Sequence, residues 1–148
     1  MKIYIAARFS RITEMKEFAD RLKAAGHEVT ARWVYGGEEG LTLEQISDLD
    51  VEDVVKADMV LSWTEAPGSY NRGGGRHTEF GIGMALNKHL WLVGPREQIF
   101  HNDSRVRQFD HLDEVINELK VMDELNRTKV GTGPVAGTSN TLLKKAAA

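Results

Sequence analysis

Asn71–Leu86 reads NRGGGRHTEFGIGMAL: three consecutive glycines between two arginines, then one carboxylate, Glu79, where an apolar helical pattern begins. Residues without a Cβ take backbone angles that others avoid and let a ligand come close to the main chain. The amides of Thr78, Glu79 and Phe80 then fall at a helix N-terminus, where unpaired N–H groups and the helix dipole favour an anion. Gly81 and Gly83 each weaken that helix by roughly 1 kcal/mol relative to alanine. Two in one turn imply tight packing against a strand or a ligand. The competing reading is a surface loop before an ordinary helix with a solvated glutamate.

The flanking sequence alternates strand and helix patterns. Immediately upstream, Met59–Trp63 (MVLSW) reads as a third strand with Asp58 at its entrance, and Thr64–Gly75 as a long glycine-rich loop. Before it, Leu43, Ile46, Leu49, Val51, Val54 and Val55 give a second helix its apolar side, opened by Thr42 or Leu43. Glu28–Val34 has a half-buried strand period, with Val29, Ala31 and Trp33 on one face. At the start, Lys2–Ala7 is a buried first strand, Ser10 a candidate cap, and Ile12, Met15, Phe18, Ala19 and Leu22 the stripe of a helix ended by Gly26. Downstream, Leu90–Val93 is a fourth strand, Val106–Phe109 a short edge strand, and Leu112–Met122 the buried face of a last long helix. Such alternation predicts crossover units and a mostly parallel five-stranded sheet: an α/β, three-layer, flavodoxin-like (Rossmann-like) fold. Ligands of these sheets sit beyond the C-terminal strand ends, at the switch in strand order. Three loops converge there: Ala7–Arg11, Trp33–Gly37 and Thr64–Thr78. Residues 1–126 make one domain, and 127–148, rich in small residues without periodicity, a flexible C-terminal tail.

With 148 residues, the chain supports one domain and not comfortably two. A net charge of −3 gives no global attraction to a nucleic-acid polymer or an anionic membrane. The absence of cysteine excludes disulfides, thiolate metal sites and a cysteine nucleophile. The start MKIYIAARFSR has too short an apolar run for a signal peptide, and no stretch approaches a membrane span, so a cytoplasmic protein is expected.

Several signatures are excluded. A P-loop needs Gly-Lys-Ser/Thr, but Gly75 is followed by Arg76-His77. The dinucleotide fingerprint is missing after the first strand, and His77-Thr78-Glu79 imitates the zinc-deaminase HxE without the cysteine pair. Carboxylates remain. Glu79 and Asp58 in one cleft suit glycosidic-bond cleavage, in which one group attacks or steadies the anomeric carbon and the other moves protons. A turn or capping role is the competing reading of Asp58. Arg8, Arg11, Arg72 and Arg76 are candidate phosphate ligands, because guanidinium pairs bidentately with phosphate oxygens. Phe9, Trp33, Trp63 and Tyr70 are aromatic surfaces for a base, the two tryptophans being equally readable as core. Ala7, Arg8, Phe9 and Arg11, Trp33, and Asn71, Arg72, Gly73, Gly74, Gly75, Arg76, His77 and Thr78 are the candidate substrate-binding residues.

These residues resemble the nucleoside 2-deoxyribosyltransferases and related deoxynucleoside 5′-monophosphate N-glycosidases. Tyr4-Ile5-Ala6-Ala7 is similar to the family's first strand, Asp50–Asp58 (DVEDVVKAD) to its helix ending in an aspartate, and Glu79-Phe80-Gly81 to its nucleophile motif, with Lys88 nine residues on. The resemblance covers about residues 2–120. It implies that Glu79 forms a covalent intermediate with C1′, that Tyr4 holds Glu79, and that Asp58 binds the nucleoside or helps protonate the leaving base. It implies no metal and no organic cofactor, a small nucleoside or nucleotide as partner, and a homo-oligomer of two or more copies. The transferases' second aspartate, about six residues before the nucleophile, is Gly73 here, and their C-terminal segment has no clear match. RGGGR suggests a held 5′-phosphate. Transfer and hydrolysis stay open, as do nucleoside and nucleotide. A non-catalytic nucleotide-sequestering protein on the same fold is the alternative.

Overall fold

The computed structural model describes residues 1–67, 69 and 74–131. Tyr70, Asn71, Arg72 and Gly73, singled out above, lie outside them, as does 132–148. The strands are β1 (Lys2–Ala6), β2 (Glu28–Val29), β3 (Met59–Trp63), β4 (His89–Val93) and β5 (Val106–Phe109). The helices are α1 (Ile12–Ala24), α2 (Leu43–Lys56), α3 (Gly75–Ala85) and α4 (Leu112–Gly131), with short 3-10 turns at Phe9–Arg11, Arg32–Tyr35 and Ile99–Asn102. All pairings are parallel in the order β2-β1-β3-β4-β5, the flavodoxin-like order whose switch point lies between β1 and β3. Helices α2 and α3 pack together over β1 and β3, while α1 and α4, tied by Arg21–Asp113, cover the other face. The central strands are buried on both faces, as crossover helices require: Ile3, Tyr4, Ile5 and Ala6 on β1 and Met59–Ser62 on β3 are almost fully enclosed.

Three local expectations change. The second strand ends at Val29, because Asp53 on α2 takes both the Arg32 amide (2.9 Å) and its Nε (3.0 Å), while the Trp33 indole donates to the Ile5 carbonyl at 2.9 Å. These acceptors draw the chain off the sheet edge into a 3-10 turn, so Trp33 is buried but not in a strand. Ser10 caps nothing, since Phe9–Arg11 winds a turn that runs straight into α1. Thr42 does cap α2, by a reciprocal box with Gln45 (3.2 and 2.9 Å), yet Leu43, Val51 and Val55 face outward rather than into the core. Helix α4 runs to Gly131.

The two glycines of α3 are not equivalent. A Cβ on Gly83 would stand 2.5 Å from Val60 Cγ2, whereas one on Gly81 meets nothing within 4 Å. Only Gly83 is needed for the helix to settle on β3. Gly83→Ala is therefore expected to lose about 1–3 kcal/mol through overpacking, and Gly81→Ala to gain up to about 1 kcal/mol from helix propensity, both read by urea unfolding.

Candidate active site

At the carboxyl ends of β1 and β3 the chain builds one cavity of about 420 Å3. The end of β1 delivers Ala7, Arg8, Phe9 and Ser10 to its rim; the turn after β2 delivers Trp33, and the following loop Glu38. Helix α2 contributes Ile46 and Asp50, and the first turn of α3 contributes Gly75, Arg76 and Glu79. The volume lies within the usual range for small-molecule sites, roughly 300–1,000 Å3.

Glu79 is the unusual group. Its Oε2 and the Tyr4 hydroxyl are both buried with no hydrogen bond of full geometry among the described residues. The hydroxyl nonetheless stands near enough to both Glu79 and Asp50 to hold down each carboxyl's proton affinity. Burial pushes Glu79 up to about 8; the Tyr4 hydroxyl opposes this, the Asp50 charge adds to it, and Arg76 opposes it. Burial also raises Asp50 to about 6, helped by the Glu38 and Asp53 charges and opposed by Arg32 and Tyr4. Tyr4 is raised by its own burial and then by the Glu79 charge, so it stays a proton donor at any ordinary pH. Two carboxyls and a phenol thus meet around one small volume, with titrations set apart by their surroundings.

Asp58 is not among them. It precedes β3, and in a parallel sheet that places it at the opposite edge, a strand length of roughly 16 Å from the cavity. There it is exposed, and its Oδ2 accepts the Lys2 amide at 2.7 Å, while its main chain links Lys2 and His89. Asp58 clamps the start of three strands, and the acid facing Glu79 is Asp50, at the other end of the DVEDVVKAD stretch. The signal for Asp50 was present: Ile46, Asp50 and Val54 share one face of α2, and a carboxylate inside an apolar stripe needs a partner or a task. Asp58→Ala is expected to leave turnover unchanged and to lower unfolding free energy by about 1 kcal/mol, from the lost hydrogen bond. Paired kinetic and urea measurements check both halves.

Other expected residues divide similarly. Arg11 is outside the cavity: it pairs with Glu14 (2.7 Å) and Glu65 (3.3 Å) and lies over the Trp63 ring at 4.7 Å. Trp63 is itself spoken for, edge-on to Phe18. His77 turns toward Gln98, 3.2 Å away, and not into the cavity. Thr78 lines a neighbouring depression between α2 and α3, and Gly74 is the N-cap residue of α3. The helix begins at Gly75, earlier than its pattern suggested, so the Thr78 amide is already bonded to Gly74 and the amides without an intrahelical acceptor are those of Gly75 and Arg76. Phe9 and Trp33, by contrast, do stand together, with ring centroids 6.3 Å apart.

Three solved structures share this architecture. A CMP N-glycosidase of Clostridium botulinum, BcmB, superposes with a TM-score of 0.57 at 19% identity, over 82% of this chain and 99% of its own. A 2-deoxyribosyltransferase of Bacillus psychrosaccharolyticus gives 0.61 at 21% identity, over 79% and 91%. The solution structure of BlsM gives 0.56 at 20%, over 93% and 97%. The chain shares their fold. No family model and no curated protein sequence matches it.

Within that fold, the arginine of α3 has a partner that sequence reasoning missed. Arg76 and Glu97, from the loop after β4, form a buried fork, Nη2–Oε1 at 2.8 Å and Nε–Oε2 at 3.4 Å. Glu97 also accepts the Glu65 amide at 3.0 Å and donates its own amide to His101 Nδ1 at 3.1 Å. No sequence pattern links residues 65, 76, 97 and 101. Glu97 therefore neutralises much of the Arg76 charge and fixes the first turn of α3, the turn that aims Glu79. Among the described residues no helix is long and apolar enough to cross a membrane.

Proposed function

We propose that the protein breaks the N-glycosidic bond of a 2′-deoxynucleoside or its 5′-monophosphate in this cavity, with Glu79 as nucleophile. The observation that carries the reading is the enclosed Glu79 carboxyl, lacking a full hydrogen bond, beside the Tyr4 hydroxyl and Asp50. A buried carboxyl without a partner is destabilising unless a ligand or a reaction uses it. The fold adds support, since one protein sharing it is named for cleaving CMP and another for transferring 2-deoxyribose.

Between about 6 and about 8, Glu79 and Asp50 together hold one proton. The productive arrangement places that proton on Asp50 and the charge on Glu79. The Glu79 carboxylate forms a bond to C1′ as the C1′–N bond breaks, and the bond's electron pair leaves with the base, which takes the proton from Asp50. Tyr4 donates to the Glu79 oxygen that does not attack. In the second half, water or another base attacks C1′, its proton passes to Asp50, and Glu79 leaves as carboxylate. The first-turn amides of Gly75 and Arg76, with Arg8, form the end of the cavity suited to a 5′-phosphate. A second copy of the chain is expected to cover the α2–α3 side, where exposed Leu43 and Val51 border a depression that also reaches Asp50 and Glu79.

The test incubates the protein with each deoxynucleoside and deoxynucleoside monophosphate, with and without a free acceptor base. Product formed only with acceptor means transfer, and free sugar or sugar phosphate means hydrolysis. Binding detected by thermal shift with no turnover of any substrate would replace the enzyme reading with that of a nucleotide-sequestering protein.

A further inference from the structure

One cavity carboxylate has no place in the chemistry above. Glu38 is half-buried in the cavity wall, and its side chain makes no hydrogen bond or ion pair among the described residues. Glycines surround it. Gly36, Gly37 and Gly40 have φ of 77°, 97° and 80°, while a Cβ at any of them would meet nothing within 4 Å. Glycine is required there for the path of the loop and not for space, and the path bends residue 38 back over the cavity. A carboxylate held on such a turn, with water and no donor from the described residues on its oxygens, is placed to accept from a ligand that enters the cavity.

Its position along the cavity narrows the ligand. Asp50 borders one depression together with Trp33 and Glu38, and a second together with Gly75 and Glu79, which Glu38 does not reach. The groups are therefore arrayed from Arg76 and the start of α3, through Glu79 and Asp50, to Glu38. With a sugar at Glu79 and a phosphate at the end formed by Arg8 and the first amides of α3, the base lies toward Glu38, against the apolar surfaces of Trp33 and Ile46. We propose that Glu38 reads the edge of the base and selects guanine, whose N1–H and 2-amino group present two parallel donors to one carboxylate. Adenine and cytosine offer an amino group beside a ring acceptor, which a carboxylate repels, and thymine offers a single N–H between two carbonyls. Guanine alone fills both oxygens.

The inference rests on the glycosidase reading of the cavity, and its test separates the two. Turnover of 2′-deoxyguanosine and its 5′-monophosphate is compared with that of the 2′-deoxyinosine pair, which lacks only the 2-amino group. Wild type should prefer guanine in kcat/KM by roughly tenfold or more, the worth of one hydrogen bond to a charged group. Glu38→Gln should bring that ratio close to one, with Tm unchanged, and Glu38→Asp, whose shorter arm falls back from the base, should retain only part of it. Wild-type turnover with no guanine preference, or a preference that survives Glu38→Gln, overturns the role of Glu38 and leaves Glu79 in place. If no substrate is turned over, the glycosidase reading fails by itself. Calorimetric binding of the deoxyguanosine and deoxyinosine monophosphates to Glu79→Gln and to the Glu38→Gln/Glu79→Gln double variant then still decides the base contact: tighter binding of the guanine compound that vanishes in the double variant upholds it, and equal affinities overturn it.

Discussion

Glu79→Gln should abolish turnover and, at pH 8, make the protein harder to unfold. The first effect follows from removing the attacking oxygen's charge, a loss of roughly a thousandfold or more for a nucleophile. The second follows from burial. In the folded protein Glu79 titrates at about 8, against 4.5 in the unfolded chain. Between those values the folded state keeps a proton that the unfolded state has released, so stability is fully present below about 4.5 and falls as pH rises through 8. Integrated over that window the loss reaches at most about 5 kcal/mol. Glutamine has the same shape and no titration, so the variant should match wild type at pH 4.5 and exceed it progressively up to pH 8. Urea unfolding of both proteins at three pH values measures this directly. Identical pH dependence in the two would mean that Glu79 is solvated, and the proposed site would lose its centre.

The second large effect is expected at Asp50. If it passes a proton to the departing base, Asp50→Asn lowers kcat/KM by about 10²–10⁴. Shape is more telling than size. Wild type needs one proton on the pair, so its rate should rise through about 6 and fall through about 8. In Asp50→Asn only Glu79 must ionise, so the alkaline fall disappears, and the single remaining limb, the ionisation of Glu79, lies below about 8 because the Asp50 charge no longer raises it. A nucleoside of 7-methylguanine carries its positive charge already and needs no proton to leave. Its turnover should be nearly unaffected by Asp50→Asn, and an equal loss on this substrate would move Asp50 from proton donor to binding group.

The two acids also mark the limit of what the sequence conveys. Glu79 was legible because the pattern that marks it is local: glycines before it, an apolar helical period after it, and a strand pattern on either side. Asp50 and Asp58 were harder to separate, since both border one short stretch. A linear motif shows that an aspartate is near; only the strand direction says which end of the sheet it reaches. Arg11 and Arg76 looked alike as basic residues beside glycine or aromatic neighbours. Their partners, Glu65 and Glu97, are distant in sequence and met only when β1, β3 and β4 were laid side by side.

By itself, the sequence determined the alternation of strands and helices, the parallel sheet and the helix that carries Glu79. Hydrophobic period, capping and turn residues act over a few positions and can be read in order along the chain. The tertiary structure alone decided that Asp50 and not Asp58 faces Glu79, that Trp33 leaves the sheet to bond Ile5, that Gly83 and not Gly81 is required, and that Glu38 bends over the cavity. Those outcomes depend on burial and on charges brought together from separate elements, which no local pattern records.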